Sequence, residues 1–220
     1  MTHTVEKIGG TSMNEYEAVR DNVILKGKKS PTDIYNRIFV VSAYGGMTDL
    51  LLENKRNSNP GVYGLFASTD NDDDWQAAFD ELKKKIYAMN RDMFGKSELG
   101  RRADAFIAER LDDAERCLKD LQRLCQHGHF ELQSHLFTVR EMLASIGEAH
   151  SAWNMAHLLE RDGIKARFID LSGWQASETL PLDEKVTQSF ASADYDNEIL
   201  IATGYAHCKE GLMGSFDRGY

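Results

Sequence analysis

The segment VEKIGGTS, Val5–Ser12, decides how the beginning of this chain folds. A short stretch runs through a lysine into two glycines and two hydroxyl residues, and a helical pattern follows. This order is typical of a strand that leads into a helix N-terminus. Adjacent glycines let backbone N–H groups approach an anion, and Lys7 adds a full positive charge. The segment therefore predicts a phosphate site, with a plain glycine turn beside a surface lysine as the alternative.

A second segment of the same type, FVVSAYGGMTDLLL, spans Phe39–Leu52. Its β-branched and aromatic run is typical of a buried parallel strand, and it ends at Ser42 before a glycine pair and Thr48. Two strand–loop–helix units predict an α/β fold in which ligands bind at the carboxyl ends of parallel strands. The chain contains neither a Walker A motif nor Gly-x-Gly-x-x-Gly, which argues against a P-loop and against a dinucleotide fold.

The rest of the chain predicts further strands at 165–171 and 198–203, with a long helical region between the second and third strands. Residues 53–75 are expected to form a loop-like insert. No linker or repeat is visible, so a single domain is predicted. Within 103–126, apolar residues recur at helical spacing and predict one packed face, formed by Ile107, Leu111, Ala114, Leu118, Leu121 and Cys125.

Composition excludes several classes of function. The net charge of −9 argues against nucleic-acid and anionic-membrane surfaces, and no apolar run approaches the roughly 18 residues that span a bilayer. The beginning of the chain lacks the basic and apolar regions of a signal peptide. The three cysteines lack Cys-x-x-Cys spacing, which favours packing roles in a reducing, cytoplasmic compartment, and no metal site is predicted.

Glu148 follows Gly147 between two apolar helical stretches, and we expect the glycine to interrupt the helix. A glutamate in such surroundings is unfavourable unless a cation or N–H donors meet it. The alternative is an exposed glutamate at a helix start, where the helix dipole favours it.

Together these motifs resemble those of the aspartokinases, within the amino-acid kinase superfamily. KIGGTS is similar to the family's Lys-x-Gly-Gly-Thr-Ser opening, VVSAYGGMTDLL to its second motif, and Gly147-Glu148 to its Gly-Glu pair. The segment 204–219 resembles the start of the family's Gly-Arg-Gly-Gly-Ser-Asp region. The resemblance spans the whole chain in motif order, and its details are most similar to the branch associated with ectoine synthesis.

The resemblance implies a three-layer α/β/α sandwich with a mainly parallel central sheet, in which residues 1–220 form the N-terminal, substrate-side lobe. The chain departs from the family pattern at DRGY, Asp217–Tyr220, where the sequence stops. The nucleotide lobe and the ACT regulatory domains are expected to be absent, and the 220-residue chain to be a poor or inactive catalyst alone. A homo-oligomer is implied for the full-length protein.

The implied reaction is ATP-dependent phosphorylation of the β-carboxylate of L-aspartate, with Mg²⁺ carried by the nucleotide. Because a carboxylate is already ionised at neutral pH, the reaction needs no general base, only charge neutralisation and alignment. The implied catalytic residues are Lys7 and Arg218. The implied nucleotide- and phosphate-binding residues are Lys7, Gly9, Gly10 and Thr11. The implied substrate-binding residues are Ser12, Ser42, Thr48, Glu148 and Arg218, with Glu148 facing the substrate ammonium.

Two alternatives stay open. The chain resembles, in its first glycine loop only, superfamily kinases that act on glutamate, acetylglutamate or a nucleoside monophosphate. It is also compatible with a non-catalytic fragment that binds aspartate or dimerises.

Overall fold

The computed structural model describes residues 3–28, 30–54, 57–68 and 72–211. They divide into two compact units, which we call the sheet unit and the helical unit. The sheet unit comprises the described residues of Met1–Gly45 and Gly147–Tyr220, and the helical unit those of Gly46–Ile146. The sequence predicts one domain, because no linker composition marks the boundary at Gly45–Gly46 or the one at Ile146–Gly147. The assignment of residues 1–220 to one lobe of a kinase stays a prediction.

One parallel sheet organises the sheet unit. Its strands are β1 (Thr4–Ile8), β2 (Arg37–Val41), β3 (Ala166–Ile169) and β4 (Ile199–Thr203), in the order β1-β2-β4-β3. Every neighbouring pair is parallel. The predicted α/β class with a mainly parallel sheet is therefore confirmed. All four predicted strands are present, and β3 and β4 lie within two residues of the expected bounds 165–171 and 198–203.

The burial of each strand follows its place in this order. All five residues of β4 are buried, and β2 is buried except at Val40. Both contain a continuous apolar run, Ile38–Val41 in β2 and Ile199–Ala202 in β4, as expected for strands that are covered on both faces. By contrast, β1 lies at the edge of the sheet, and Ile8 is its only buried residue.

Helices connect these strands. After β1 come α1 (Gly10–Met13) and α2 (Tyr16–Val19), which continues as a π-helical turn over Arg20–Ile24. A 3-10 turn, Pro31–Ile34, precedes β2, and α8 (Leu182–Phe190) links β3 to β4. The sequence led us to expect a longer helix after β1. Because α1 has only four residues, its dipole is smaller than the dipole of such a helix.

The strand order places a topological switch point between β2 and β4. The chain moves across the sheet in one direction from β1 to β2, and in the opposite direction from β3 to β4. In open α/β sheets, ligands bind in the crevice outside the carboxyl ends of the strands at this point. The switch point therefore marks where a site is expected.

The helical unit contains α3 (Met47–Leu51), α4 (Val62–Ala67), α5 (Asp72–Phe94), α6 (Glu98–Cys125) and a 3-10 turn, Leu132–His135. The prediction of a loop throughout 53–75 is wrong, because α4 lies within it and α5 begins at Asp72. In α6 the predicted face is buried from Ile107 to Leu118, but Leu121 and Cys125 are partly exposed. Cys117 is exposed, so the packing role predicted for the cysteines fails there.

A long helix, α7 (Leu136–Arg161), belongs to the helical unit up to Ile146 and to the sheet unit from Gly147. From the sequence, Gly147 is expected to interrupt it. Instead the helix runs on without a break, and Gly147 is buried within it. Glu148 is therefore an interior helix residue, and the alternative of an exposed glutamate at a helix start is wrong.

Candidate functional site

The carboxyl ends of β1, β2 and β4 are joined by backbone hydrogen bonds that extend the sheet past its strands. The Ser42 amide donates to the Ile8 carbonyl at 3.1 Å, and the Gly204 amide donates to the Val41 carbonyl at 2.9 Å. The loops that follow these three strands therefore begin side by side at the switch point. This arrangement brings Lys7, Gly9 and Gly10 to the same edge of the sheet as Ser42.

Gly10 allows the first loop to lie against the second. A Cβ atom at Gly10 would lie 2.6 Å from the Ala43 carbonyl oxygen, which is a backbone atom that cannot swing away. At Gly9, the N-cap of α1, a Cβ would meet nothing within 4 Å, and its backbone has the ordinary φ of −75°. Close packing thus requires a glycine at position 10, whereas position 9 has room for a side chain.

We expect Gly10→Ala to lower the free energy of unfolding by roughly 1–3 kcal/mol, because the added methyl group overpacks two backbone segments. Gly9→Ala is the matched control and should change the free energy by less than about 0.5 kcal/mol. Urea unfolding of both variants measures the difference. Equal stabilities would show that the first loop moves freely away from Ala43.

The loop Ser42–Gly45 is held from two sides. The Ser151 hydroxyl of α7 donates to the Ser42 carbonyl at 2.8 Å, and the Gly45 amide donates to Asn14 Oδ1 at 3.0 Å. Asn14 is the C-cap of α1. The loop that follows β2 is therefore fixed to both α1 and α7.

Glu148 lies in this crevice in an unusual electrostatic state. Burial raises the pKa of its carboxyl from the usual 4.5 to about 7, and the backbone N–H groups of Tyr205 and Ala43 and the charge of Lys7 oppose the rise. Its Oε2 is buried and has no hydrogen-bond partner among the described residues. A Cβ at Gly204 would lie 3.0 Å from that oxygen, so the missing side chain leaves it room. This oxygen can accept a hydrogen bond from a cationic group.

This carboxyl should make stability depend on pH. Its pKa is higher in the folded than in the unfolded chain, so the folded state binds the proton more tightly. This proton binding adds to the free energy of unfolding at low pH, and the addition is lost as pH rises through the folded pKa. Between pH 4.5 and about 7, the free energy of unfolding should fall by about 3 kcal/mol relative to Glu148→Gln. Urea unfolding of both proteins at several pH values tests this, since other titrating groups cancel in the difference. Parallel pH profiles would contradict it.

Lys7 complements Glu148. It lies on β1 directly before Ile8, and its side chain is exposed, yet its charge acts on the Glu148 carboxyl. An exposed ammonium beside a buried carboxylate offers one group to an anion and another to a cation. The crevice can therefore bind a ligand that carries both charges, with the backbone N–H groups of Gly9 and Gly10 available to the anionic part.

The remaining predicted residues are placed as follows. Thr11 and Ser12 are exposed on α1, and Ser42 is partly buried at the end of β2. Thr48 lies in the first turn of α3, in the helical unit. Arg218 falls outside the described residues.

Three residues that hold the loop Ser42–Gly45 or contact Glu148 were not predicted from the sequence, namely Asn14, Ser151 and Tyr205. Asn14 and Ser151 act on backbone groups more than thirty residues away in the chain, so no local pattern indicated them. Ser151 did carry a signal, because it stands three positions after Glu148 and therefore on the same helix face. Tyr205 acts through its backbone N–H, which a side-chain motif does not reveal.

Among the described residues, no group of three or more His, Cys, Asp or Glu side chains could hold a metal ion. The same part of the chain has no helix that is long and apolar enough to cross a membrane.

Comparison with known proteins gives consistent results. Residues 3–218 match the family described as the amino acid kinase family. The chain is 49% identical over 218 residues to "Aspartate kinase Ask_Ect" of Stutzerimonas stutzeri (strain A1501), covering 99% of this chain and 46% of that protein. The chain thus spans about half the length of this curated relative.

Two crystal structures of E. coli aspartokinase III share the fold. The complex with aspartate and ADP in the R-state aligns with a TM-score of 0.55 and 16% identity, over 95% of this chain and 42% of that one. The T-state complex with lysine and aspartate gives 0.51 and 18%, over 92% and 41%. At these identities the likeness concerns the fold alone.

Proposed function

This chain belongs to the amino acid kinase family, and from that premise we propose that it forms the substrate-binding part of an ATP-dependent aspartate kinase. The observation that carries the proposal is the buried Oε2 of Glu148, which has no partner among the described residues and lies in a crevice with the exposed Lys7. The identity of 49% to a named aspartate kinase supports L-aspartate as the substrate.

In this proposal Glu148 binds the ammonium group of L-aspartate. Its pKa of about 7 means that the free carboxyl is part protonated at neutral pH, and the arriving ammonium favours the ionised form. Binding should therefore release a fraction of a proton. Ser42 and Ser12 supply hydroxyl contacts to the substrate, and Thr48 and Arg218 are proposed to bind it as well, with Arg218 clamping a carboxylate.

Lys7 is proposed to stabilise the transferred phosphoryl group, together with backbone N–H groups of Gly9, Gly10 and Thr11. An oxygen of the substrate β-carboxylate attacks the γ-phosphorus of ATP, the new O–P bond forms, and the bond to the β,γ-bridging oxygen breaks. That electron pair leaves with ADP. Because the carboxylate is already ionised, no proton moves, and the chain contributes alignment and charge neutralisation.

Further parts of the proposal rest on the family and on charge. ATP is the phosphoryl donor and brings Mg²⁺ on its phosphates. Residues 1–220 form the substrate-side lobe, and the full-length enzyme is a homo-oligomer. A cytoplasmic location fits the net charge of −9, and the Stutzerimonas relative supports the branch associated with ectoine synthesis.

A chimaera tests the activity directly. The remaining part of the Stutzerimonas relative is joined after residue 220, and the product is trapped with hydroxylamine, which converts an acyl phosphate into a hydroxamate. With MgATP we expect hydroxamate from L-aspartate, and none from L-glutamate or N-acetyl-L-glutamate. A folded chimaera that phosphorylates one of the latter two instead would contradict the proposal.

A further inference from the structure

Three polar side chains that the proposed reaction does not use are buried together beside Glu148. They are Tyr44 on the loop Ser42–Gly45, and His150 and Asn154 on α7. Asn154 Nδ2 lies 3.0 Å from His150 Nε2, and the Asn154 side chain is also hydrogen-bonded to the Tyr44 hydroxyl. The rings of Tyr44 and His150 meet edge to face, with centroids 5.3 Å apart.

These groups are unsuited to proton transfer. Burial lowers the pKa of His150 to about 3 and raises that of Tyr44, so both stay neutral at physiological pH. In the orientation of the structure, the amide nitrogen of Asn154 faces Nε2 of His150 as a donor. The Asn154 amide thus bridges a neutral imidazole and a phenol. These contacts join the loop Ser42–Gly45 to α7.

These contacts flank Ala43. The Ser42 carbonyl is held by Ser151, and the Tyr44 side chain is held by Asn154 and His150. Ala43 stands in the chain between Ser42 and Tyr44, which make these contacts. Its backbone N–H is one of the groups that oppose the rise in the pKa of Glu148. The residues of α7 that make these contacts, His150, Ser151 and Asn154, lie within six residues of Glu148.

We propose that Tyr44, Asn154 and His150 are positioning residues, which hold the loop Ser42–Gly45 against α7 so that the Ala43 N–H meets the Glu148 carboxylate. Their effect on L-aspartate rests on the function proposed above, whereas their effect on Glu148 does not. A network that serves core packing alone would change stability and leave the Glu148 carboxyl as it was.

Tyr44→Phe is the first test, because it keeps the ring that packs on His150 and removes only the hydroxyl. Asn154→Leu is the second, since it removes the amide at similar volume. The titration midpoint of Glu148 is followed by ¹³C NMR in the 220-residue chain, and L-aspartate affinity by calorimetry. The control is His157→Gln on the same helix, because His157 stacks on Trp153, outside the network.

Both network variants should raise the Glu148 midpoint above its value in the unaltered chain and weaken L-aspartate binding about 10-fold, while His157→Gln changes neither. An unchanged midpoint in folded Tyr44→Phe and Asn154→Leu would overturn the proposal. If the unaltered chain binds no aspartate, the proposed function fails, and the Glu148 midpoint still decides for or against the network.

Discussion

Replacing Lys7 with alanine in the chimaeric enzyme is expected to lower kcat for aspartate phosphorylation roughly a thousandfold. The transferred phosphoryl group carries negative charge on its oxygens, and Lys7 is the side chain proposed to neutralise it. Lys7 is exposed and is the penultimate residue of β1, close to the glycine loop, so its loss removes charge without leaving a cavity. The free energy of unfolding should change by less than about 0.5 kcal/mol.

Steady-state kinetics together with urea unfolding separate these two effects. Lys26→Ala is the matched control, since Lys26 is another exposed lysine of the sheet unit, outside the crevice loops. It should leave kcat unchanged. A Lys7→Ala enzyme that retains more than about a tenth of the normal kcat would remove Lys7 from the phosphoryl site.

Replacing Glu148 with glutamine is expected to weaken L-aspartate binding roughly 100-fold, because the substrate ammonium loses its buried counter-charge. Glutamine keeps the shape of the side chain, and stability at neutral pH should not fall, since the pKa of about 7 shows that ionised Glu148 is itself unfavourable in the free protein. Loss of affinity without loss of stability distinguishes a binding role from a structural one.

Calorimetry in two buffers of different ionisation enthalpy measures both affinity and proton release. Near pH 7 the unaltered chain should release a fraction of a proton on binding L-aspartate, and Glu148→Gln should release none. Glu160→Gln, an exposed glutamate on the same helix, is the control and should behave like the unaltered chain. Undiminished affinity in Glu148→Gln would remove this residue from the ammonium site.

Local sequence patterns predicted the sheet because each central strand contains a short continuous run of apolar residues. Phe39–Val41 and Ile199–Thr203 are apolar at nearly every position, since both are central strands of a parallel sheet. The glycine loops that follow the strands were visible for the same reason. The sequence therefore indicated the edge of the sheet at which Lys7 and Ser42 lie.

What the sequence did not reveal depends on contacts between distant segments. Gly147 is a poor helix former, but α7 runs through it because its buried packing outweighs a cost of about 1 kcal/mol. That continuity places Glu148 in the middle of a helix, and burial of its carboxyl raises the pKa. Likewise, Val62–Ala67 looked like a loop because a six-residue helix between Gly61 and Ser68 is too short to show a periodic pattern.

The most direct test of the account is a calorimetric titration of the 220-residue chain with L-aspartate, with L-glutamate as the control and MgATP first absent and then present. If Glu148 and Lys7 form a site for a small amino acid, L-aspartate alone gives saturable heat and L-glutamate gives none. A folded chain that gives no heat with L-aspartate, or equal heat with L-glutamate, would contradict the account.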